Sequence, residues 1–344
     1  MHMTFKSNTR LFLWTLMFVL FILSQFIIVK ASNPPNRKNR YKLVRPDFIR
    51  GINGHPLNQQ AYLNMPVAQQ IDLLKKLNFN YYRFDIPIDN NGDIKNKDTF
   101  FKLASIAKSN NIGLLPMIYL MGLNFNDNIQ QSFQKGYTIG YRFARQYGNY
   151  FDYFELGNEE DLLVAKKGVS GSSPEDYDLN KLKTLASFLK GMIKGIKLQR
   201  PRAKIIINCA GWFHYVFLGL LDNEGVNYDV IGYHWYSDMD DYSKTVNVDI
   251  LKVLTQKFKK PVLFTEINML NGTNNNGEQK RDDWIRNFSS SCSKYQNVRG
   301  VFIYELLDEP NLPVASAGEK SFGIIKWDFQ QKKYKDLNNT VSLF

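Results

Sequence analysis

The chain is poor in the residues that staple small folds or build metal centres. Its 344 residues include two cysteines, Cys209 and Cys292, too few for a disulfide scaffold or a Cys-rich zinc module. Two free, buried thiols are expected. Histidine is scarce as well: His2, His55, His214 and His234 stand far apart, without an HExxH or HxH pair. No metal and no cofactor is therefore expected. A glycine-rich phosphate loop is missing, since RGINGH at residues 50–55 does not match GxGxxG. The formal charge of +12 is spread through helix-like segments and forms no basic block or reader motif, so nucleic acid is not an expected partner.

Long apolar runs are also rare, and there is one. Residues 11–29 carry no charge and follow Lys6 and Arg10. A basic start, an apolar stretch and Ala31 at its end fit a secretory signal cut near residue 31. The run is also long enough, at roughly 18 or more residues, for an uncleaved anchor, and only then is a membrane a partner. The protein is expected to be secreted, periplasmic or held at the cell surface. Residues 1–31 are assigned to this segment, 32–44 to a polar linker, and 45–344 to one catalytic-size domain. Removing Lys6, Arg10 and Lys30 leaves +9, which suggests an anionic glycan, such as a uronic acid polymer, among candidate partners. A monomer is expected.

What is present is alternation. Eight short apolar or β-branched runs recur at residues 48–53, 80–86, 113–118, 152–156, 204–208, 229–234, 261–266 and 300–305. They read as buried parallel strands. Between them lie stripes at helical spacing, such as Ile71, Leu74 and Leu77, or Leu182, Leu185, Phe188, Leu189 and Ile193. Asp98 and the Ser173-Pro174 pair stand where helix starts want a cap and a first-turn proline. Eight β-then-α units without a phosphate loop predict a single α/β domain, a (β/α)₈ TIM barrel. The stretch after Lys320 reads as strand and loop in place of a full last helix.

In such a barrel, chemistry collects where strands end. The fourth strand runs into Gly157-Asn158-Glu159-Glu160-Asp161, and the seventh ends at Thr265-Glu266. Two carboxyl groups facing each other over the barrel mouth are what a glycosidic bond needs, one to protonate the leaving oxygen and one to attack or to activate water.

These motifs resemble the clan-A retaining glycoside hydrolases, the superfamily of cellulase-like, β-xylosidase-like and heparanase-like barrels. The likeness rests on FELGNEED, LFTEIN, RGINGH with His55, YYRFD with Arg83, GYHWYS with His234 and Tyr236, and SFGIIKWD at residues 321–328. It implies Glu159 as general acid/base, Glu266 as nucleophile and Asn158 on the sugar 2-OH. Arg83 and Tyr236 would hold Glu266 ionised and oriented. His55, His234, Trp212, Trp235 and Tyr304 join the expected substrate contacts, the two tryptophans as stacking platforms for sugar faces. Two departures stand out. Tyr304 occupies the place of the tryptophan that floors the sugar subsite in many relatives, and Glu160 stands where many have proline.

An acid catalyst of this kind is expected to have its pKa raised by burial and a nearby carboxylate. Glu155 is expected to be structural, and Glu160 and Asp161 to cap the following segment. Arg83 has an alternative partner in Asp85. The expected function is a secreted retaining hydrolase of β-glycosidic bonds in a polysaccharide or oligosaccharide. The competing readings are a carbohydrate-binding barrel without turnover and a metal-dependent barrel hydrolase.

Overall fold

The computed structural model describes residues 48–335 except 275 and 314–315. The expected signal and the linker lie outside the described residues. Eight parallel strands close in sequence order: β1 Ile49–Gly54, β2 Tyr81–Ile86, β3 Gly113–Ile118, β4 Tyr153–Leu156, β5 Lys204–Ile207, β6 Val230–Tyr236, β7 Val262–Asn268 and β8 Val298–Ile303. Each expected strand is found within three residues of its expected bounds. The larger helices between them are α1 Val67–Lys76, α2 Lys97–Ser109, α3 Ile129–Tyr147, α4 Leu179–Gln199, α5 Tyr215–Asn223, α6 Ser237–Thr245, α7 Ile250–Lys257 and α8 Glu278–Ser293. Among the described residues no α-helix follows β8, and a small antiparallel pair, β9 Trp327–Asp328 with β10 Lys333–Tyr334, comes after it.

Two of the expected helix starts move. Asn96 precedes α2, leaving Asp98 in the first turn, where its charge meets the helix dipole. Ser173 and Pro174 open a three-residue 3₁₀ turn, and Asp178 caps α4 by accepting from the N–H groups of Asn180 and Lys181. At α4 the Asp178 carboxylate decides the start, whereas Asn96 makes no side-chain cap hydrogen bond at α2.

The alternating side chains divide into two cores. Outward-facing residues such as Ile52, Phe84, Ile118, Phe264 and Ile267 pack against the helices. Inside the barrel, Ile49, Tyr81, Leu115, Ile206, Val230, Leu263 and Phe302 fill the lower part. Gly51 leaves the space that the Phe302 ring occupies; a Cβ there would overlap it. Above this apolar plug the inward positions become polar: Asn53, Arg83, Glu155, Asn208 and His234, all buried. Burying so many polar groups is tolerated when they satisfy one another; these do so apart from His234 Nε2, which has no hydrogen-bond partner among the described residues. The plug is thus the floor of the site, and the polar layer is its base.

Both cysteines are free and buried, as expected.

Candidate active site

The turn after β4 presents Asn158 and Glu159. Gly157 (φ 78°) and Glu159 (φ 58°) are both in the left-handed region. Glycine bears this freely, whereas the glutamate does so against a steric cost held off by its surroundings. The Glu159 N–H donates to Asn208 Oδ1 at 2.7 Å, and the Asn208 amide donates in turn to Glu155 and to the Gly157 carbonyl. A Cβ on Gly157 would overlap the Glu160 carboxyl, which folds back beneath the turn and accepts from the Asn158 N–H at 3.3 Å. Glu160 therefore does not cap the next segment, and neither does Asp161, which is buried and bonded to His214 Nδ1 (2.5 Å) and the Ala210 N–H.

Glu266 reaches the mouth by a different device. Leu263 faces the barrel interior, so strict alternation would turn Glu266, three residues on, outward. An irregularity in β7 intervenes: Phe264 pairs with Tyr233, but the next β6 residue, His234, pairs with Glu266. The extra residue, Thr265, reverses the parity, and Glu266 lines the cavity instead.

Arg83 is the centre of the polar layer. It is 4% exposed and donates from Nε to Glu155 (2.5 Å), from Nη1 to Glu266 Oε1 (2.8 Å) and Asn53 (2.7 Å), and from Nη2 to Asn158 Oδ1 (2.9 Å). Its burial opposes the charge, but the two carboxylates more than offset this and keep it a cation. Asp85, the alternative partner, bonds His55 instead. Tyr236 donates to Glu266 Oε2 at 3.0 Å, so each Glu266 oxygen has its own donor. Glu155 is structural, as its place in the strand implied.

His234 departs from its expected role. It is fully buried, so it has no surface to offer a sugar. Its Nδ1 lies 2.7 Å from Glu159 Oε1 and 3.6 Å from Glu266 Oε2, between the two glutamates. One oxygen from each glutamate and a ring nitrogen of His234 lie within 4.8 Å of one another. Burial alone would lower the His234 pKa, but Glu266 and Glu159 raise it. Burial likewise would raise that of Glu159, yet the hydrogen bond and charge of His234 win and lower it. The expectation of a raised acid is therefore reversed in the unliganded protein. The physical reason is His234, whose Nδ1 lies 2.7 Å from Glu159 Oε1 and whose hydrogen bond and charge favour the ionised carboxyl.

Around this pair lies a cavity of about 410 Å³, lined by Asn53, His55, Gln59, Arg83, Asp85, Tyr119, Asn158, Glu159, Tyr236, Asp238, Glu266, Tyr304, Glu319 and Phe322 among others. His55 and Tyr304 fall where expected, their rings edge to face at 5.9 Å. The tryptophans do not. Trp235 is fully buried in the outer core beside Tyr233, because on β6 it alternates with the inward His234. Trp212 packs edge-on against Tyr242 and is not among the lining residues. Of the residues that sequence reasoning passed over, Asn53 and Asn208 could have been found as polar residues ending strands one and five. Asp238, in the first turn of α6, and Glu319 carried no signal, while Phe322 belongs to the SFGIIKWD motif without having been singled out.

Glu160 makes the site's surroundings sensitive to pH. Burial pushes its carboxyl up to about 7 from an ordinary 4.5, with the charge of Asp161 adding to the rise against the Asn158 hydrogen bond. Between those values the unfolded chain has lost the proton that the folded chain keeps, so stability falls as pH rises through the window and stays low above it. Glu160→Gln should match the wild type at about pH 4 and exceed it by up to about 3 kcal/mol at about pH 8. Urea unfolding at the two pH values checks this. An equal difference at both would show that the Glu160 proton is not linked to folding.

The sequence profile of glycosyl hydrolase family 53 matches residues 137–339, more than half of the chain. No curated protein matches it in sequence. Among solved structures it is similar to the virulence factor SghA from Agrobacterium tumefaciens, at 13% identity and a TM-score of 0.59 over 84% of this chain and 94% of that one. It is similar to the family 1 β-glucosidase from Thermotoga maritima (14%, TM-score 0.58, 85% and 95%). The hyperthermophilic β-glucosidase from Pyrococcus furiosus aligns as well (13%, TM-score 0.60, 84% and 92%). At these identities the likeness is one of fold.

Proposed function

The chain belongs to glycosyl hydrolase family 53, and from that membership we propose that it is an exported, retaining β-glycosidase in which Glu266 is the nucleophile and Glu159 the acid/base. The observation that carries this reading is the spacing of the pair. Retaining enzymes hold their carboxyl groups about 5–5.5 Å apart, whereas inverting ones leave roughly 6.5–9.5 Å for a water. Carboxylate oxygens of Glu159 and Glu266 within 4.8 Å of each other favour the first.

The steps follow from the contacts. Glu266, charged and gripped by Arg83 and Tyr236, attacks the anomeric carbon with one carboxylate oxygen. As the glycosidic C–O bond breaks, Glu159 gives the departing oxygen a proton, which reaches it along the 2.7 Å bond from His234. Ester formation then consumes the Glu266 charge that does most to keep His234 protonated. In the second step Glu159 takes a proton from water, the water oxygen bonds to the anomeric carbon, and Glu266 leaves as carboxylate. The sugar ends with its original configuration. Asn158, fixed by Arg83, is placed to meet the sugar 2-OH.

The substrate is a β-linked polysaccharide or oligosaccharide, a reading supported by the β-glucosidases that share the fold. The cleft favours an uncharged sugar over the anionic one that the net charge suggested. Asp85, Glu159, Asp238, Glu266 and Glu319 line it, and its single arginine is already engaged by Glu155 and Glu266. Export is inferred from residues 6–31, and N-terminal sequencing of secreted material that still begins at Met1 would replace it with an anchored protein. For the activity itself, a panel of neutral and acidic polysaccharides is digested and the first product is read by proton NMR. The β-anomer should appear first, before mutarotation; an initial α-anomer would mean inversion and remove Glu266 from the nucleophile's role.

A further inference from the structure

Beside the catalytic pair, at the seam where β8 closes against β1, is a second cluster that the proposed reaction does not use. His55 follows β1, and Glu305 and Glu309 follow β8. One atom from each lies within 4.8 Å of the others. The two glutamates are 1% and 3% exposed. Asp85, at the inward face of β2, bonds His55 Nδ1 at 2.8 Å and is itself held by Asn58 and by the Tyr119 hydroxyl at 3.1 Å. That bond places the Nδ1 proton toward Asp85 and leaves Nε2 facing the glutamates. The Nε2 atom is buried and has no hydrogen-bond partner among the described residues, although Glu305 Oε2 is 3.4 Å away. Glu305 receives the Tyr62 hydroxyl at 2.5 Å, and Glu309 receives the Gln59 amide when its nitrogen is turned toward it.

Nε2 aimed at two buried carboxylates is repulsive unless something positive, a proton or a metal ion, sits between them. We propose that this something is a divalent transition-metal ion, of the Zn²⁺ or Mn²⁺ type, held by His55 Nε2, Glu305 and Glu309. The donor set is one imidazole nitrogen with carboxylate oxygens, which suits these borderline ions. Calcium prefers an all-oxygen shell of six to eight ligands and fits poorly. Asp85 supplies the outer contact that metal-bound histidines characteristically have, a carboxylate on the other ring nitrogen that sets tautomer and orientation. The ion ties the end of the first strand to the segment after the last. Its effect is to lock the barrel's closure, and no step of the hydrolysis passes through it. A proton on Nε2 is the competing occupant, so the test must separate metal from proton.

The full chain is stripped with a chelator and exposed separately to Zn²⁺, Mn²⁺ and Ca²⁺. It is then desalted and its metal content measured, and melting is followed with and without each ion. Zn²⁺ or Mn²⁺ should remain at one equivalent per chain and raise the melting temperature, with Ca²⁺ doing neither. His55→Ala and Glu309→Gln should abolish retention, and Asp85→Asn should weaken binding about 10–100-fold. Glu159→Gln should bind as the wild type does, because Glu159, His234 and Glu266 form a separate cluster of ligand-like spacing. The near-isosteric Glu309→Gln, with its metal-free melting temperature as a folding control, guards against misfolding of the alanine variant. Failure of the wild type to retain metal would leave the proton as occupant and overturn the proposal. So would retention that survives in Glu309→Gln but is lost in Glu159→Gln.

Discussion

Glu266→Ala should abolish turnover. The glycosyl-enzyme needs a carboxylate oxygen at the anomeric carbon; Glu155, the other carboxylate on Arg83, is fully buried in the barrel, and Glu159 serves as the acid/base. Loss of a nucleophile that acts as part of a unit lowers kcat by on the order of 10⁴-fold or more. Substrate binding should persist, because the cavity keeps its other lining residues. The measurement is steady-state hydrolysis of an aryl β-glycoside, with the Kd of an oligosaccharide as the control. The variant also leaves Arg83 with one carboxylate fewer and removes the acceptor of the Tyr236 hydroxyl. Its fold must therefore be confirmed by its melting curve. Turnover near the wild-type rate in a folded Glu266→Ala protein would remove this residue from the chemistry.

Glu159→Ala should lose about 10²–10⁴-fold on a natural glycan, the usual worth of a positioned acid or base. On an aryl glycoside with an acidic phenol as leaving group the first step needs little protonation, so the glycosyl-enzyme accumulates. Azide, which needs no base to activate it, then enters the space vacated by the carboxylate. The product should be a β-glycosyl azide, retaining the starting configuration, and the rate should rise with azide concentration. No rescue, or an α-glycosyl azide, would refute the assignment. The second outcome would be especially informative, because it would mean that Glu266 never forms an ester. His234 adds a further expectation of the same variant. With its Glu159 hydrogen bond gone, the imidazole keeps only Glu266 at 3.6 Å, and its pKa should fall, as histidine NMR would show.

Much of this was readable beforehand, and the reason lies in periodicity. Parallel strands covered on both faces must be apolar runs, and the helices packed on them must show apolar stripes, so the eight units announce themselves. The two glutamates were legible because barrel strands end in loops at one face, which makes a strand-end carboxylate informative. Tryptophan was a poor guide. Trp235 and His234 are adjacent on one strand and therefore face opposite ways, so only one of them can reach the site. Net charge carried no information about the cleft, which is lined by Asp85, Glu159, Asp238, Glu266 and Glu319 although the whole sequence is basic.

What the linear order determined by itself is the barrel and the strand ends on which Glu159 and Glu266 stand. Only the folded chain decided their aim and their protons. The irregularity in β7 turns Glu266 inward against the alternation of its own strand, a matter of pairing with β6 and not of local sequence. His234, at 0% exposure between two carboxylates, lowers the Glu159 pKa where a raised one was expected. Electrostatic energy at such distances depends on separation and burial, and neither is written in the spacing of residues along a chain.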